Sequence, residues 1–429
     1  MGKLKLHWQI LIAIGLAALA GVVTSPDTSL LGVPVLSIYD FMGTMFLNAL
    51  RMLIVPLIMS SIISGVAGLG SGSDLGRLGM KTATYYIATS LLAIFLGLAV
   101  VNIVQPGIVD GRPAGERLGL QDESGELAAR FEGRGAGDLA GLFLRMVPTN
   151  IVSAAAEGQM LGLIFFSILF GYFVNHIHTD FSETMQRFAN GVFETMMRIT
   201  LWVMVFTPFG VFGLVAEEVT QTGFEAFRPL MTFFFTALFS LLGHTLITLP
   251  LLLYFVGGVN PWRHYRAMSA AMLTAFSTAS SSATLPLTME CVEKKAGVSN
   301  RITSFVLPLG ATVNMDGTAL YECVAAMFIA QAYGLELGFV TQFTVVFVAL
   351  ITSIGVAGIP AASLVAITII LTSIGLPVEA IGLILVTDRL LDMVRTSINV
   401  FSDSCGAVII GTTEGETEIL MDPAGGVGA

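Results

Sequence analysis

Charged side chains are scarce in this sequence of 429 residues, because Asp, Glu, Lys and Arg together make up only 12% of it. A soluble globular protein usually carries about 25%. Hydrophobic residues make up 55%, the mean hydropathy is +0.83, and apolar runs of about 20 residues recur. The composition therefore excludes an ordinary soluble domain and predicts an all-α polytopic protein that lies in the lipid bilayer.

Basic residues and cysteines are also few. The net charge is −10 and no basic patch is present, so we expect no nucleic-acid partner. Cys291, Cys323 and Cys405 lie far apart in apolar surroundings without the spacing of a metal site, which favours packing residues over a disulfide framework. No nucleophile–base pair or metal cluster indicates an enzyme.

Apolar segments predict eight membrane-spanning helices and two re-entrant helical hairpins. Segments 266–298 and 340–374 are each broken in the middle by small and polar residues. Arms of about 12 residues, at about 1.5 Å per residue, cannot cross a core of about 30 Å. Each hairpin is followed by a helix, 301–333 or 378–411, so the unit occurs twice as inverted repeats. The remaining long segments, read as full helices, are 8–24, 36–66, 79–105, 158–176, 193–216 and 229–258.

Loop charge predicts the orientation. Lysines and arginines from Lys3 to Arg301 fall mostly on one side of the spans, and the acidic loop 106–140 falls on the other. By the positive-inside rule both termini are cytoplasmic, and the two hairpins enter from opposite sides. The N-terminal run, with A-x-A at Ala18–Ala20, could also be a signal peptide. Because it continues through Val23, we favour an uncleaved first helix.

The last predicted helix carries one polar stripe. At about 100° per residue, Asp388, Asp392, Arg395, Asn399 and Asp403 lie within about 80° of one another. Each charge at a bilayer centre costs about 2.5–3.5 kcal/mol on insertion scales. Internal ion pairs are the structural alternative, yet acids outnumber arginines in the last helices. The surplus negative charge predicts a site for cations or protons.

Two kinds of ligand fit these residue types. Arg395 presents a fork for a carboxylate, and Asp392, one turn away, can accept an ammonium group, so an amino acid fits. Hard monovalent cations take oxygen ligands, and the unwound "GATVNMDG" and the hairpin tips supply backbone carbonyls. Hydroxyls of membrane helices are more often bonded to their own turn, so their part stays open. Side chains that offer oxygen are Asp316, Asp403, Asn314, Asn399, Tyr86, Thr89 and Ser90.

Four motifs resemble the dicarboxylate/amino acid:cation symporter family: "SSSATLP" at 280–286, "NMDGTALYE" at 314–322, "SIGVAGIP" at 353–360 and "DMVRTSINVFSD" at 392–403. They stand in the family's order, and the resemblance covers nearly the whole chain. It implies a sodium-driven homotrimeric symporter of glutamate or aspartate in the cell membrane, in which a transport domain slides against a scaffold.

The resemblance also implies a domain division. The scaffold would comprise 1–78 and 141–220, and the transport domain 79–105 and 221–412. Residues 106–140 would form an extracellular loop, and 413–429 a cytoplasmic tail.

Site residues follow from the family's motifs. Asp392 would bind the substrate's amino group and Arg395 its side-chain carboxylate. The implied substrate-binding residues are Ser280, Ser281, Ser282, Thr318, Ile359, Asp392, Arg395, Thr396 and Asn399. About three sodium ions would take oxygen ligands. The implied sodium-binding residues are Tyr86, Thr89, Ser90, Asn314, Met315, Asp316, Ser353, Ile354, Asn399 and Asp403.

Glu322 is the clue to further coupling. Archaeal members have glutamine at this position, whereas proton-coupled mammalian members have glutamate. A carboxyl group removed from water takes up a proton more readily than one in water. We therefore expect Glu322 to carry a proton, with K⁺ a further candidate ion. The alternative is a fixed hydrogen bond in a packed interior.

Departures from the family raise further questions. Archaeal members carry an arginine where this chain has Ala279, and mammalian members carry it where this chain has Met393. Arg389, which can reach Asp392 at i, i+3, is our candidate replacement. His244 is expected to be an interior histidine whose hydrogen bonds are satisfied.

Two other functions stay open at this stage. One is a proton-driven C4-dicarboxylate carrier, which the acids at 392 and 403 disfavour. The other is a substrate-gated anion channel.

Overall fold

Helices dominate the chain in a computed structural model that describes residues 6–25, 27–30, 32–67, 73–118, 144, 146–157, 159–222, 227–355 and 362–420. Their bounds, in chain order, are α1 Leu6–Val23, α2 Val35–Ala67, α3 Ser73–Val104, α4 Ile151–Ala156, α5 Met160–Val174, α6 Thr179–Met204, α7 Thr207–Thr222, α8 Phe227–Gly243, α9 Leu249–Phe255, α10 Pro261–Thr278, α11 Ser281–Lys294, α12 Asn300–Val313, α13 Asp316–Ala332, α14 Phe339–Gly355, α15 Ala362–Ile374 and α16 Ile381–Thr413. A π-helical segment, His244–Thr248, joins α8 to α9. Two 3₁₀ segments lie at Ala114–Leu118 and Val378–Ala380.

Strands occur only as two short ladders within the described residues. β1, Ser29–Leu30, pairs antiparallel with β2, Val33–Pro34, and Leu30 faces Val33. β3, Ile108–Val109, pairs with β4, Arg112–Pro113, in the same way. β1 and β2 join α1 to α2, and β3 and β4 follow α3. Helices make up most of the described chain, so the prediction of an all-helical class is confirmed. Of the predicted loop 106–140, residues from 119 onward lie outside the described part of the chain.

The helix breaks fall where the sequence predicts them. The segment 266–298 divides into α10 and α11 at Ala279 and Ser280, and 301–333 divides into α12 and α13 at Asn314 and Met315. The segment 340–374 divides into α14 and α15. Its predicted tip, 353–363, is described only at its two ends, because residues 356–361 lie outside the described part of the chain.

One predicted span is wrong in its bounds. The segment 193–216 was expected to be a single helix, but α6 and α7 meet there at a bend of 53°. Pro208 is the second residue of α7. Proline donates no backbone hydrogen bond and its ring clashes with the carbonyl four residues earlier, so α6 cannot continue through it.

By length and composition, two helices among the described residues can cross a membrane, Arg77–Val104 and Arg228–Phe255. The bent pair of α6 and α7 would count as a third. Other helices are apolar over shorter stretches, such as Gly162–Val174 and Phe339–Ser353. Among the described residues, fewer helices than the eight predicted spans therefore meet this criterion.

Helix α13 lies at the centre of the helix packing. Every residue from Asp316 to Ala332 is buried, and α3, α8, α14, α15 and α16 surround it. A helix that is apolar on all faces requires such cover. The polar side chains at its first turns therefore lie in the interior, away from water.

A second group of helices packs around α2. Helices α1, α5, α6 and α7 all contact it or one another. Helix α7 approaches closely through Gly213, where a Cβ would lie 2.5 Å from the carbonyl oxygen of Tyr39. Glycine is required there because no side chain fits between the two helices.

Candidate functional site

The break between α12 and α13 interrupts the backbone of a buried pair of helices. Asn314 has φ −100° and ψ 96°, and Met315 has φ −124° and ψ 59°. Neither continues the helix, so the last carbonyl groups of α12 lack helical partners. Irregular backbone inside a membrane protein is tolerated where protein or a cavity surrounds it. The unwound stretch predicted from "GATVNMDG" is therefore shorter than expected, because only Asn314 and Met315 leave the helix and residues 310–313 remain helical.

Helix α12 lies very close to two predicted cation ligands at Gly310. A Cβ on Gly310 would lie 2.5 Å from Oδ1 of Asp403 and 2.6 Å from the hydroxyl oxygen of Tyr86. Such contacts are shorter than carbon and oxygen atoms allow. Only glycine therefore lets the α12 backbone meet both oxygen groups.

The Asp316 carboxylate is fully buried and accepts three hydrogen bonds. Ser90 Oγ donates to its Oδ1 at 2.7 Å. Ser402 Oγ donates to its Oδ2 at 2.5 Å, and His244 Nε2 lies 3.3 Å from the same oxygen. Helices α3, α13 and α16 and the π-helical segment therefore meet at one carboxylate.

Asn314 connects the two buried aspartates. Its Nδ2 donates to Oδ1 of Asp403 at 2.9 Å and to Ser402 Oγ at 3.1 Å, and Ser402 in turn donates to Asp316. Asn314 Oδ1 has no hydrogen-bond partner among the described residues, although the residue is fully buried. A buried acceptor without a donor, beside carboxylates, fits a cation ligand.

The three predicted hydroxyls of α3 behave differently. Ser90 donates to Asp316, as described above. Tyr86 donates to the carbonyl oxygen of Val306 at 2.7 Å. Thr89 donates to the carbonyl oxygens of Tyr85 at 3.0 Å and Tyr86 at 3.2 Å within its own turn. Thr89 therefore donates its hydroxyl hydrogen within its own helical turn, as hydroxyls of membrane helices usually do. Its oxygen lone pairs are what it can offer a cation.

Arg395 lies in a ring of charged and aromatic groups. Its two terminal nitrogens each donate to Oδ1 of Asp388 at 3.0 Å, and Nη2 also donates to Oδ1 of Asp392 at 3.0 Å. Tyr321 stacks beneath the guanidinium, with its centroid 3.9 Å from Cζ. Arg389 Nη1 donates to Oδ2 of Asp392 at 3.2 Å. All formal charges are therefore paired within the ring.

Asn399 ties α16 to the start of α13. Its Nδ2 donates to Thr318 Oγ1 at 3.0 Å, and its Oδ1 accepts from the backbone N–H of Gly317 at 2.9 Å. Thr396 Oγ1 donates to the carbonyl oxygen of Asp392 at 2.8 Å. The predicted substrate ligands on α13 and α16 thus belong to one buried cluster.

The first hairpin tip is a tight two-residue link. Ala279 has φ 49° and ψ 40°, a left-handed conformation unusual for a residue with a Cβ. Ser280 caps α11 by accepting from the N–H of Ala283 at 3.3 Å. Ser281 is buried and Ser282 is exposed. The tip therefore presents a helix N-terminus with adjacent hydroxyls, which suits a carboxylate.

The second hairpin is described only in its arms. Ser353 is fully buried and donates to the carbonyl oxygen of Leu350 at 2.8 Å. Ile359 and the side chain of Ile354 lie outside the described part of the chain. Met315, also predicted at this site, packs in an apolar cluster with Leu57 and Ala366.

Glu322 lies on α13, facing α14. Thr352 Oγ1 donates to its Oε2 at 3.0 Å. Its Oε1 has no hydrogen-bond partner among the described residues, and the whole residue is buried. A buried carboxylate with one unpartnered oxygen is unfavourable unless that oxygen binds a proton or a cation.

Sequence reasoning missed three members of the site. His244 was expected to be interior and satisfied; it is interior, but its partner is Asp316 and its Nδ1 is unpartnered within the described residues. Asp388 was placed on the stripe without being recognised as the partner of Arg395. Ser402 was not considered. Of these three residues, His244 alone stood out in the sequence, as a single histidine in an apolar span.

Comparison with known proteins agrees with this geometry. The model of the family described as "Sodium:dicarboxylate symporter family" matches residues 6–413. The chain belongs to the sodium:dicarboxylate symporter family. The symporter is therefore a multi-pass membrane transporter and not an enzyme.

Named relatives cover nearly the whole symporter. It is 35% identical over 413 residues to a proton/glutamate-aspartate symporter of Escherichia coli K12, covering 96% of this chain and 93% of the relative. It is 35% identical over 450 residues to excitatory amino acid transporter 3 of Mus musculus, covering 95% and 86%. It is 34% identical over 430 residues to a proton/sodium-glutamate symport protein of Bacillus caldotenax, covering 97% and 96%.

Proposed function

We propose that this symporter carries glutamate or aspartate across the cell membrane together with sodium ions, and with a proton on Glu322. The observation that carries the proposal is the buried pairing of Arg395 with Asp388 and Asp392. This pairing offers a fork for a carboxylate and an acceptor for an ammonium group in one place. The names of the relatives indicate the same substrate class.

Substrate binding exchanges internal ion pairs for external ones. The side-chain carboxylate of the substrate takes the place of aspartate oxygens on Arg395, with Thr318 beside it. The ammonium group takes the place of a guanidinium on Asp392, beside Thr396. Arg395 and Asp392 each keep an oppositely charged partner in this exchange, which is what a low-dielectric site requires. The substrate's main-chain carboxylate binds Asn399 and the first hairpin tip.

Arg389 is the proposed replacement for the arginine that archaeal members carry in the first hairpin. Its hydrogen bond to Asp392 supports this role, because the bond places the guanidinium at the edge of the Arg395 ring. When the substrate ammonium takes Asp392, Arg389 is released to attract the substrate's negative charge.

Sodium ions use the oxygens around the α12–α13 break. One position combines Asp403 and Asn399 with carbonyls near Asn314. Another combines Asp316 and Asn314 Oδ1 with hydroxyls of α3. An acidic amino acid brings one excess negative charge into the protein, and the sodium ions offset it. A further position lies under the second hairpin, near Met315 and Ser353.

Glu322 adds proton coupling in this proposal. Its unpartnered Oε1 is a place for the proton, and Thr352 orients the other oxygen. The residue lies within the same buried helix as Asp316. Protonation therefore removes a buried charge as substrate and sodium arrive.

Transport follows an elevator mechanism in this proposal. Helices packed around α2 form the scaffold of a trimer, and those packed around α13 form the moving domain that contains the site. The second hairpin is the extracellular gate, and both termini are cytoplasmic. The re-entrant hairpins allow access from each side in turn.

Uptake by reconstituted proteoliposomes tests the proposal. Radiolabelled glutamate and aspartate are supplied with sodium, proton and potassium gradients imposed independently. We expect accumulation against the substrate gradient that depends on an inward sodium gradient and increases with an inward proton gradient. Succinate uptake driven by protons alone would favour a C4-dicarboxylate carrier. Substrate-activated anion current without accumulation would favour a channel. Absence of sodium-driven uptake of both amino acids would overturn the proposal.

A further inference from the structure

We propose that His244 is a positioning residue for cation binding: it holds Oδ2 of Asp316 so that Oδ1 faces the cation. The proposal rests on the sodium-coupled function proposed above. It assigns a role to a buried polar residue that neither the substrate site nor the motifs explain.

Hydrogen bonding at Asp316 leaves one direction open. A carboxylate offers about four lone-pair directions, two on each oxygen. Oδ2 receives His244 Nε2 and Ser402 Oγ, at 3.3 Å and 2.5 Å. Oδ1 receives only Ser90 Oγ, at 2.7 Å. The open direction is therefore on Oδ1, and Asp316 binds a cation through this single oxygen.

The bond to Asp316 is the hydrogen bond that the imidazole of His244 makes among the described residues. A carboxylate oxygen can only accept, so Nε2 carries the hydrogen of the bond. The ring is 0% exposed, and within the described part of the chain its Nδ1 has no partner. Burying a polar imidazole costs free energy unless a hydrogen bond compensates for the lost water. The bond to Asp316 is the compensating interaction that the structure shows.

His244 lies at the start of an irregular stretch of backbone. His244 opens the π-helical segment His244–Thr248 between two α-helices. Such single-turn π segments insert a residue and rotate the side chains that follow, and they are frequent at functional sites. Tyr265 OH donates to the carbonyl oxygen of Thr245, which stabilises the segment from α10. Two elements thus cooperate to keep the imidazole against Asp316.

Three substitutions separate positioning from packing. His264 supplies a matched control, because it is also fully buried, has an unpartnered Nδ1 among the described residues, and bonds a serine, Ser404, at 2.9 Å. His244→Gln keeps an amide donor near the place of Nε2, whereas His244→Asn is too short to reach Oδ2. Wild type, both variants and His264→Gln are reconstituted, and glutamate uptake is measured against sodium concentration.

We expect His244→Asn to raise the half-saturating sodium concentration roughly tenfold or more, because a hydrogen bond to a charged group is lost. His244→Gln should stay within about threefold of wild type, and His264→Gln should leave it unchanged. An unchanged value in His244→Asn, or equal shifts in the Asn and Gln variants, would overturn the role of His244.

A second measurement does not require transport, so it also tests variants with poor uptake. Sodium-dependent thermal stabilisation of the detergent-purified protein is measured for the same variants without any transport. We expect His244→Asn to need roughly tenfold more sodium for half its stabilisation, and a wild-type requirement would contradict the inference. If wild type itself shows neither sodium-driven uptake nor sodium stabilisation, the proposed function fails instead.

Discussion

Arg395 and Asp388, two turns apart on α16, are joined by two hydrogen bonds of 3.0 Å that both end on Oδ1 of Asp388. Arg395 is 1% exposed. A guanidinium so deeply buried is held in position before any substrate arrives. Its preorganisation lowers the cost of ordering the site when a carboxylate binds.

Removing the guanidinium should remove recognition of acidic side chains. We expect Arg395→Met to weaken glutamate and aspartate uptake by about 100-fold or more, since a buried charge-assisted pair is lost. Uptake of small neutral amino acids should persist, because Asp392 still binds an ammonium group. Competition assays with labelled serine and glutamate measure both. Arg198→Met, on an exposed pair with Glu194, is the control, and equal loss of all substrates would contradict the assignment.

Arg389 should matter for affinity and less for the maximal rate. We expect Arg389→Ala to raise the half-saturating glutamate concentration about tenfold, because one of two guanidinium groups near Asp392 disappears. Arg389→Lys should recover part of the loss, since it keeps the charge without the fork. Initial uptake rates over a glutamate series measure this. Unchanged affinity in Arg389→Ala would refute the replacement hypothesis.

Glu322 should carry the pH dependence. In wild type, uptake should fall as external pH rises, because deprotonated Glu322 leaves a buried charge in the loaded carrier. Glu322→Gln should transport with a flat pH profile, since the amide cannot release a proton. The profile is measured between about pH 5 and 8 at a constant sodium gradient. Glu290→Gln, on an exposed pair with Lys294, should keep the wild-type slope, and a wild-type slope in Glu322→Gln would disprove the carrier role.

A single methyl group at Gly310 should damage cation binding. Its Cβ would lie 2.5 Å from Asp403 Oδ1, so the oxygens must move apart. We expect Gly310→Ala to raise the sodium requirement at least about tenfold or abolish uptake. Gly191→Ala is the matched control, because a Cβ there meets nothing within 4 Å. Gly191→Ala should stabilise its helix by up to about 1 kcal/mol. Equal effects of the two substitutions on the sodium requirement would contradict the prediction.

Glu414 forms ion pairs with Arg77 and Lys81 at the end of α16. We call these pairs the clamp, and we expect acid to weaken it. Hydrogen bonds from Lys81 Nζ at 2.6 Å and Arg77 Nη2 at 2.5 Å lower the pKa of Glu414, with the Lys81 bond the largest cause. The clamp is therefore fully formed above the unfolded pKa of about 4.3 and weakens as pH falls through the lower folded pKa.

Amide exchange measures this clamp. We expect the protection factors of residues 413–420 to decrease once the pH falls below the unfolded pKa of about 4.3. In Glu414→Gln they should be low already at neutral pH. Glu418→Gln, an exposed neighbour, should keep wild-type protection. Protection in Glu414→Gln equal to wild type would show that the clamp does not depend on this carboxylate.

Much of this architecture can be read from local sequence. Apolar length, the broken segments and the stripe from Asp388 to Asp403 follow from periodicity and from the cost of charge in a bilayer. The break at Asn314 and Met315 was also predictable. The bend between α6 and α7 was not predicted, although Pro208 was visible, because a run of apolar residues hides a change in direction.

The sequence by itself determined the class of protein, the helix breaks and the set of polar residues that must be buried, because these depend on hydropathy and backbone chemistry along one segment. Only the tertiary structure decided which of those residues touch. Asp316 meets Ser90, His244 and Ser402 from three separate elements. Contacts across 72 to 226 residues of chain depend on how helices pack, and the close approach that glycines such as Gly310 permit cannot be seen from spacing alone.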